Sequence, residues 1–262
     1  MLERLRIPQD LLRRPAVFNP LPSPTYNCPL CQDRGVVLQG GKAYRCRCMK
    51  QKTLQNRFRL ANLTPQLRRF TFENFDLKYY SRPHLESARR CLEAAKKFVA
   101  SCLKDPHTKG LFLFGPVGSG KTHLAAAIAN SLVNAGKQVL FTVVPDLLDE
   151  LRSTYDRRPE DDSYTELELL DTARKAEVLI LDDLGSHNYT EWTCNKIYSL
   201  INSRLMNELP TVVTSNLDLK ELEEYLGERT VSRLVQLCYP YNLPVEEDIR
   251  YVRSREEYET LK

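Results

Sequence analysis

Eight consecutive residues, Gly115-Pro116-Val117-Gly118-Ser119-Gly120-Lys121-Thr122, carry the most specific chemistry in the sequence. They match the spacing G-x4-GK[ST] and lie between an apolar, strand-like "LFLF" and a helical "HLAAAIANSL", the context a phosphate-binding loop requires. The glycines allow backbone conformations that aim several N–H groups at phosphates, and the following helix adds its positive end. Lys121 is expected to reach the β and γ phosphates and Thr122 to ligate Mg²⁺, so ATP with Mg²⁺ is the expected ligand. Further on, "VLILDDLG" ends a buried apolar run with Asp182 and Asp183, a pair suited to one magnesium-linked carboxylate (Asp182) and one water-orienting group (Asp183). Many such ATPases carry Glu at the second position, so the shorter Asp183 counts against vigorous hydrolysis. Asn216 closes "TVVTSN" and fits either a contact to the attacking water or γ-phosphate, or an ordinary loop-starting Asn. Arg229 and Arg233 stand four apart, on one face of a helix. They read as solvated side chains, as partners of Glu221, Glu223, Glu224 or Glu228, or as an arginine finger entering a neighbouring subunit's ATP site. Head-to-tail contacts of that last kind build rings or open helices.

A second constellation precedes these. Cys28 and Cys31 form a CxxC, and Cys46 and Cys48 a CxC, with Gly40-Gly41 between the pairs as a turn. Four thiolates so spaced suit one tetrahedral Zn²⁺ stapling a small module. Reduced or redox-active thiols and disulfides are the alternatives. Cys91, Cys102, Cys194 and Cys238 sit among apolar residues and read as small core side chains.

Positioning these groups requires a scaffold, and the sequence outlines one. Of the 262 residues, the first 70 carry fourteen Lys/Arg against three acids, a net of +11, whereas the remainder carries 24 bases and 31 acids. A basic front end on an acidic body points to nucleic acid or an acidic partner surface. No run approaches the length of a membrane span, and the charged start "MLERLRIPQDLLRRP" has no hydrophobic signal region, so a reducing cytoplasm is expected. Prolines 15, 20, 22 and 24 break the first segment, and "MKQKTLQNRFRLANL" reads as a helix. From Pro83 a helical period runs through Leu85, Ala88, Leu92, Ala95 and Val99. Strand and helix then alternate: "GLFLFG", "KTHLAAAIANSLVNAG", "QVLFTVV", "PDLLDELRSTYD", "AEVLILDD", "TEWTCNKIYSLINSRLMNE" and "TVVTSN". Near-continuous apolar strands suit a mostly parallel sheet covered on both faces, an α/β body. The expected division is a basic zinc-binding module over residues 1–72 and an ATPase domain over 73–262.

With these motifs, residues of about 70–250 resemble the DnaC/DnaI-type bacterial replicative helicase loaders. These are AAA+ ATPases related to the initiator DnaA and the transposition ATPase IstB. The resemblance rests on "FENFDL", "LFLFGPVGSGKTHLAAAIAN", "VLILDDLG", "TEWTCNKIYSLINSRL", "TVVTSN" and "LGERTVSRLVQL". It implies an AAA+ P-loop fold and a protein that delivers the ring-shaped, hexameric replicative DNA helicase onto single-stranded DNA, with ATP controlling assembly and release. Lys121 and Thr122 then match the Walker A positions, Asp182 and Asp183 the Walker B pair, and Asn216 sensor 1. Arg233 matches the finger, with Arg229 its companion. The helix "DLLDELRSTYD" falls where initiator-type relatives carry an extra helix that shapes helical assemblies. Few residues follow the arginine element, so the usual helical lid is expected to be absent, and Arg250, Arg253 and Arg255 are equal candidates for a sensor 2 arginine. Self-assembly head to tail, or as a ring templated by the helicase, is the implied oligomer. Two other readings stand beside it: an IstB-like transposition targeting ATPase acting on duplex DNA, and a zinc-dependent nucleic-acid-binding adaptor with weak ATPase.

Overall fold

The computed structural model describes residues 28, 30–32, 35–39, 42–46, 61–154, 165–186 and 189–260. Cys48, the Gly40-Gly41 turn, the proline-rich start and residues 49–60 of the expected helix lie outside these. The chain divides into two compact units, residues 1–51 and 52–262.

In the first unit, β1 (Val36–Gln39) and β2 (Lys42–Arg45) pair antiparallel, with Val36 opposite Arg45. The Cys46 amide donates to the Gly35 carbonyl (2.8 Å) and the Gln32 amide to the Cys28 carbonyl (2.9 Å), so the hairpin returns Cys46 to the turn that carries Cys28 and Cys31.

In the second unit five parallel strands form one sheet in the order β4-β5-β6-β3-β7: β3 (Gly110–Phe114), β4 (Val139–Val143), β5 (Val178–Leu184), β6 (Thr211–Ser215) and β7 (Cys238–Asn242). Side chains alternate across a strand, and the core divides accordingly. Leu111, Leu113, Phe141, Ile180 and Val212 pack on one face with α1 (Arg82–Cys102) and α2 (Lys121–Asn134). On the other face Phe112, Leu179, Leu181 and Val213 meet α3 (Val144–Ser153), α4 (Glu166–Lys175), α5 (Glu191–Met206), α6 (Leu219–Leu226) and α7 (Glu228–Leu237). After β7 the described chain adds one helix, α8 (Ile249–Thr260). Among the described residues no helix is long and apolar enough to cross a membrane.

The unit boundary falls about twenty residues before the expected one near 72, for a reason local patterning does not reveal. Ala61 and Leu63 are buried in the same core as α2, with Leu67, Phe70 and Phe72 packed on its margin. The Asn130 carboxamide of α2 donates to the carbonyls of Leu67 (2.9 Å) and Phe70 (2.7 Å), and the Phe141 amide of β4 donates to Ala61 O (3.0 Å). Residues 61–72 therefore pack as part of the second unit.

One buried cation organises the opposite face. Arg204 on α5 is fully enclosed. Its Nη1 donates to the carbonyls of Ala173, Arg174 and Ala176 (3.3, 3.2 and 2.5 Å), which end α4; Nη2 reaches Pro210 O (2.6 Å) and Nε the Thr211 hydroxyl (3.1 Å). The last carbonyls of a helix lack amide partners, and here a guanidinium supplies them while fixing the start of β6. Burial lowers its pKa to about 10, well above neutrality, so it stays charged.

Candidate functional site

The P-loop joins β3 to α2 at the carboxyl edge of the sheet, where ligands gather in open α/β folds. Gly118 (φ 72°) and Gly120 (φ 93°) take left-handed conformations that L side chains rarely adopt. A Cβ on Gly118 would lie 2.0 Å from the Asp248 carboxylate, and one on Gly120 would lie 3.0 Å from Phe75 and from the Tyr80 hydroxyl. The loop is thus held from outside: Tyr80 Oη donates to Ser119 O (2.6 Å), and the Ile249 amide donates to Gly118 O (3.2 Å).

Around this loop is a cavity of about 510 Å³. Val117, Gly118, Ser119, Gly120, Lys121 and Thr122 line it from one side, and Asp182, Asp183, Thr214 and Asn216 from the ends of β5 and β6. Gly115 and Pro116 lie just behind: their carbonyls each accept from Lys121 Nζ at 2.8 Å, with Ser119 Oγ at 3.3 Å. Burial brings the Lys121 pKa down to about 8, opposed by the carboxylates of Asp183 and Asp182. Asp182 is buried and accepts from the hydroxyls of Thr122 (3.0 and 3.1 Å) and Thr214 (2.6 Å); burial, the largest influence, raises its pKa despite both bonds. Asp183 accepts from Asn216 Nδ2 (2.8 Å), and its own amide donates to Thr214 Oγ1 (2.9 Å).

Adjacent residues of a regular strand face opposite ways, yet both aspartates face this cavity. The β5–β6 register shifts between Leu181 and Leu184, and Asp183 takes φ 62°. Asp tolerates that left-handed conformation better than most residues. The irregularity re-aims the second carboxylate to the side of the first.

The aromatic part of the wall was not identified from sequence. Residues 66–80 contribute Leu67, Phe70, Phe75, Tyr79 and Tyr80, and α2 contributes His123, whose ring stacks on Phe70 (4.6 Å between centroids). His123 Nε2 lies 2.9 Å from Thr71 O, and burial depresses its pKa. This aromatic, mostly apolar flank beside a phosphate loop suits a planar base. The run "FTFENFDLKYY" was the available signal. From α8, Arg250 and Arg253 reach the cavity, whereas Arg255 pairs with Glu247 and does not line it. Arg250 is engaged by Asp248 (2.7 Å), and the Arg253 guanidinium lies 4.9 Å from the Tyr79 ring centroid.

The structure brings Lys121, Thr122, Asp182, Asp183 and Asn216 together and leaves the two α7 arginines out. Arg229 is exposed, Arg233 is half-buried, and neither lines the cavity. In the first unit, the sulfurs of Cys28, Cys31 and Cys46 all lie within 4.8 Å of one another, with Cys28 and Cys46 at 3.7 Å. Thiolates at about 2.3 Å from one tetrahedral Zn²⁺ stand about 3.8 Å apart, so these three fit such an ion.

Residues 35–237 match the family model described as IstB-like ATP binding protein. The chain is 26% identical over 203 residues to the replicative helicase loader DnaC of Escherichia coli strain K12, covering 78% of this chain and 77% of that protein. It is 28% identical over 230 residues to the phage-like element PBSX protein XkdC of Bacillus subtilis, covering 82% and 81%. Among solved structures, DnaI superposes with TM-score 0.56 at 30% identity over 71% of this chain and 94% of that one. The DnaC helicase loader does so with TM-score 0.57 at 27% identity, over 70% and 100%. AMPPCP-bound DnaA from Aquifex aeolicus, at 21% identity and TM-score 0.58, shares the fold.

Proposed function

We propose, from the premise that this chain belongs to the IstB-like ATP-binding protein family, that it is an ATP-hydrolysing loader of a replicative DNA helicase. The observation that carries the ATP half is the convergence of Lys121, Thr122, Asp182, Asp183 and Asn216 on one cavity beneath the P-loop. The loader half rests on the similarity to DnaC and DnaI.

Lys121 leaves the loop carbonyls to meet the β and γ phosphates, which replace Gly115 O and Pro116 O as its partners. Thr122 and Asp182, already in mutual contact, are the residues that would hold Mg²⁺, which when bound neutralises phosphate charge. Asp183 and Asn216, joined by a hydrogen bond, orient the attacking water. The aromatic flank receives the base, and Arg250 and Arg253 approach the phosphates from α8. Arg233, with Arg229 beside it, faces the ATP site of the next copy and stabilises charge on the transferring phosphate there, which is why neither lines its own cavity. Cys28, Cys31 and Cys46, with Cys48, are the residues that would hold one Zn²⁺, which when bound would brace a basic helicase-docking module. Such a loader works in the cytoplasm, on single-stranded DNA, assembled with the helicase.

The test is native mass spectrometry of the full chain mixed with the organism's replicative helicase, with and without ATP and Mg²⁺. A complex whose composition changes with ATP is expected. The absence of any complex under both conditions overturns the loader reading and favours transposition targeting, which the family description also accommodates.

A further inference from the structure

A second cavity, of about 480 Å³, opens at the amino-terminal ends of β3 and β7, the edge of the sheet opposite the P-loop. Its floor is apolar, with Phe98 of α1 and Leu111 of β3 both buried. Its rim carries Lys97, Lys104, His107 and Lys109, all exposed, and two tyrosines of β7, Tyr239 and Tyr241. Two acids stand near. Asp105 lines the groove and accepts from the His107 amide (2.9 Å), and Glu208 lies 3.9 Å from His107 Nδ1. Positive charge nonetheless predominates: residues 96–109 hold four lysines and one acid, within a body where acids outnumber bases.

Tyr239 is 53% exposed, and the Lys109 ammonium lies 4.4 Å from its ring centroid. The exposed ring of Tyr239 beside Lys109, with the half-buried Tyr241 next along the same face, offers a stacking surface and phosphate contacts at one place, the pairing that single-stranded nucleic acid uses. A peptide adding as a strand to β7 is a poorer fit, because Pro240 sits mid-strand and has no N–H to offer a ladder. A duplex would present its bases stacked and paired, out of reach of Tyr239. We propose that this groove binds single-stranded nucleic acid, with bases on Tyr239 and Tyr241 and phosphates on Lys97, Lys104 and Lys109, independently of nucleotide in the P-loop site.

The experiment measures binding of a fluorescein-labelled oligothymidylate to the full chain by anisotropy, without ATP, across a salt series. Tyr239→Ala should weaken binding by about tenfold, and Tyr239→Phe, which keeps the ring, should not. The exposed pair Lys97→Ala with Lys109→Ala should lessen the slope of log K against log salt by about 1.4, near 0.7 for each lost phosphate contact. A 4-thiothymidine oligonucleotide should crosslink to the peptide containing Tyr239. Wild-type affinity and slope in both the Tyr239→Ala and the double-lysine variants overturn the proposal. So does equal competition by polyglutamate, which would mark the groove as a site for acidic protein. Lys121→Ala should leave this binding unchanged while ATP binding is lost, so the failure of either proposal is visible separately.

Discussion

Arg204→Met strips the carboxyl end of α4 of the guanidinium that caps it. In the native protein three terminal carbonyls, of Ala173, Arg174 and Ala176, share one Nη1, and Pro210 O takes the other terminal nitrogen. Methionine fills most of the volume but donates nothing. Pro210 O keeps the Leu179 amide (3.2 Å), so the burden falls on the α4 carbonyls, foremost Ala176 O. One or two buried acceptors left without donors cost about 1–3 kcal/mol each. Relief from burying a cation offsets part of this, because the lowered pKa of Arg204 records an unfavourable desolvation. The expected net loss is about 3 kcal/mol, a large fraction of the 5–15 kcal/mol that typically holds a domain together. Arg204→Lys keeps the charge but has three hydrogens in place of five, and should lose about half as much. The chain's sole tryptophan, Trp192, lies on the same helix and reports the transition by fluorescence during urea unfolding. A midpoint for Arg204→Met that implies less than 1 kcal/mol of loss refutes the capping argument. So does a variant with native stability but lost ATP binding, because Arg204 reaches Thr214 and Asn216 only through its anchoring of β6.

Gly118→Ala should destabilise the protein by about 1–2 kcal/mol from the left-handed backbone alone. It should also weaken ATP binding, since the new methyl meets Asp248; isothermal titration and thermal melts check both, and unchanged values contradict the close approach of α8. Cys31→Ser should release about one zinc equivalent per chain, measured by atomic emission, while leaving ATP affinity intact; a wild-type protein purified without zinc contradicts the four-thiolate reading. Arg233→Ala should bind ATP normally yet lose most hydrolysis or assembly, and should regain turnover when mixed with Lys121→Ala chains that donate an intact finger. Lys121→Ala itself should abolish nucleotide binding, read by fluorescent ATP titration.

The cavity beside the phosphate-loop motif was legible where its residues are contiguous. The P-loop occupies eight successive residues between a strand and a helix, and Asp182 and Asp183 are adjacent at the end of an apolar run, so motif and context lie within one window. Four of the five sheet strands announced themselves by continuous apolar residues. The fifth, β7, did not: its Cys-Tyr-Pro-Tyr-Asn places polar and ring residues on an edge strand that is mostly exposed. The helices α4 and α6, which open with the capping boxes Thr165–Glu168 and Asp218–Glu221, are short, ten and eight residues, and each buries only two side chains, so no long apolar run marks them. The packing of residues 61–72 into the second unit was not legible, because Leu63, Leu67 and Phe70 are isolated apolar residues in a basic segment. Their role depends on Asn130 and α2, some sixty residues away in sequence. That both aspartates face one cavity depends on a register shift no strand pattern displays.

The last described helix has a mechanical consequence. α8 touches the P-loop at its first residue, where the Ile249 amide meets Gly118 O, and ties down again where Glu256 accepts from Lys78 Nζ (3.1 Å) and Tyr79 Oη (3.0 Å). Its twelve residues make a rod about 18 Å long. A carrier protein or surface tether attached beyond Thr260 therefore pulls on a lever. Its fulcrum is the Glu256 clasp, and the arm from there back to Ile249, about 10 Å long, ends on the Gly118 backbone. Immobilisation through that end loads the Gly115–Thr122 loop directly, and tension there becomes a handle on its conformation.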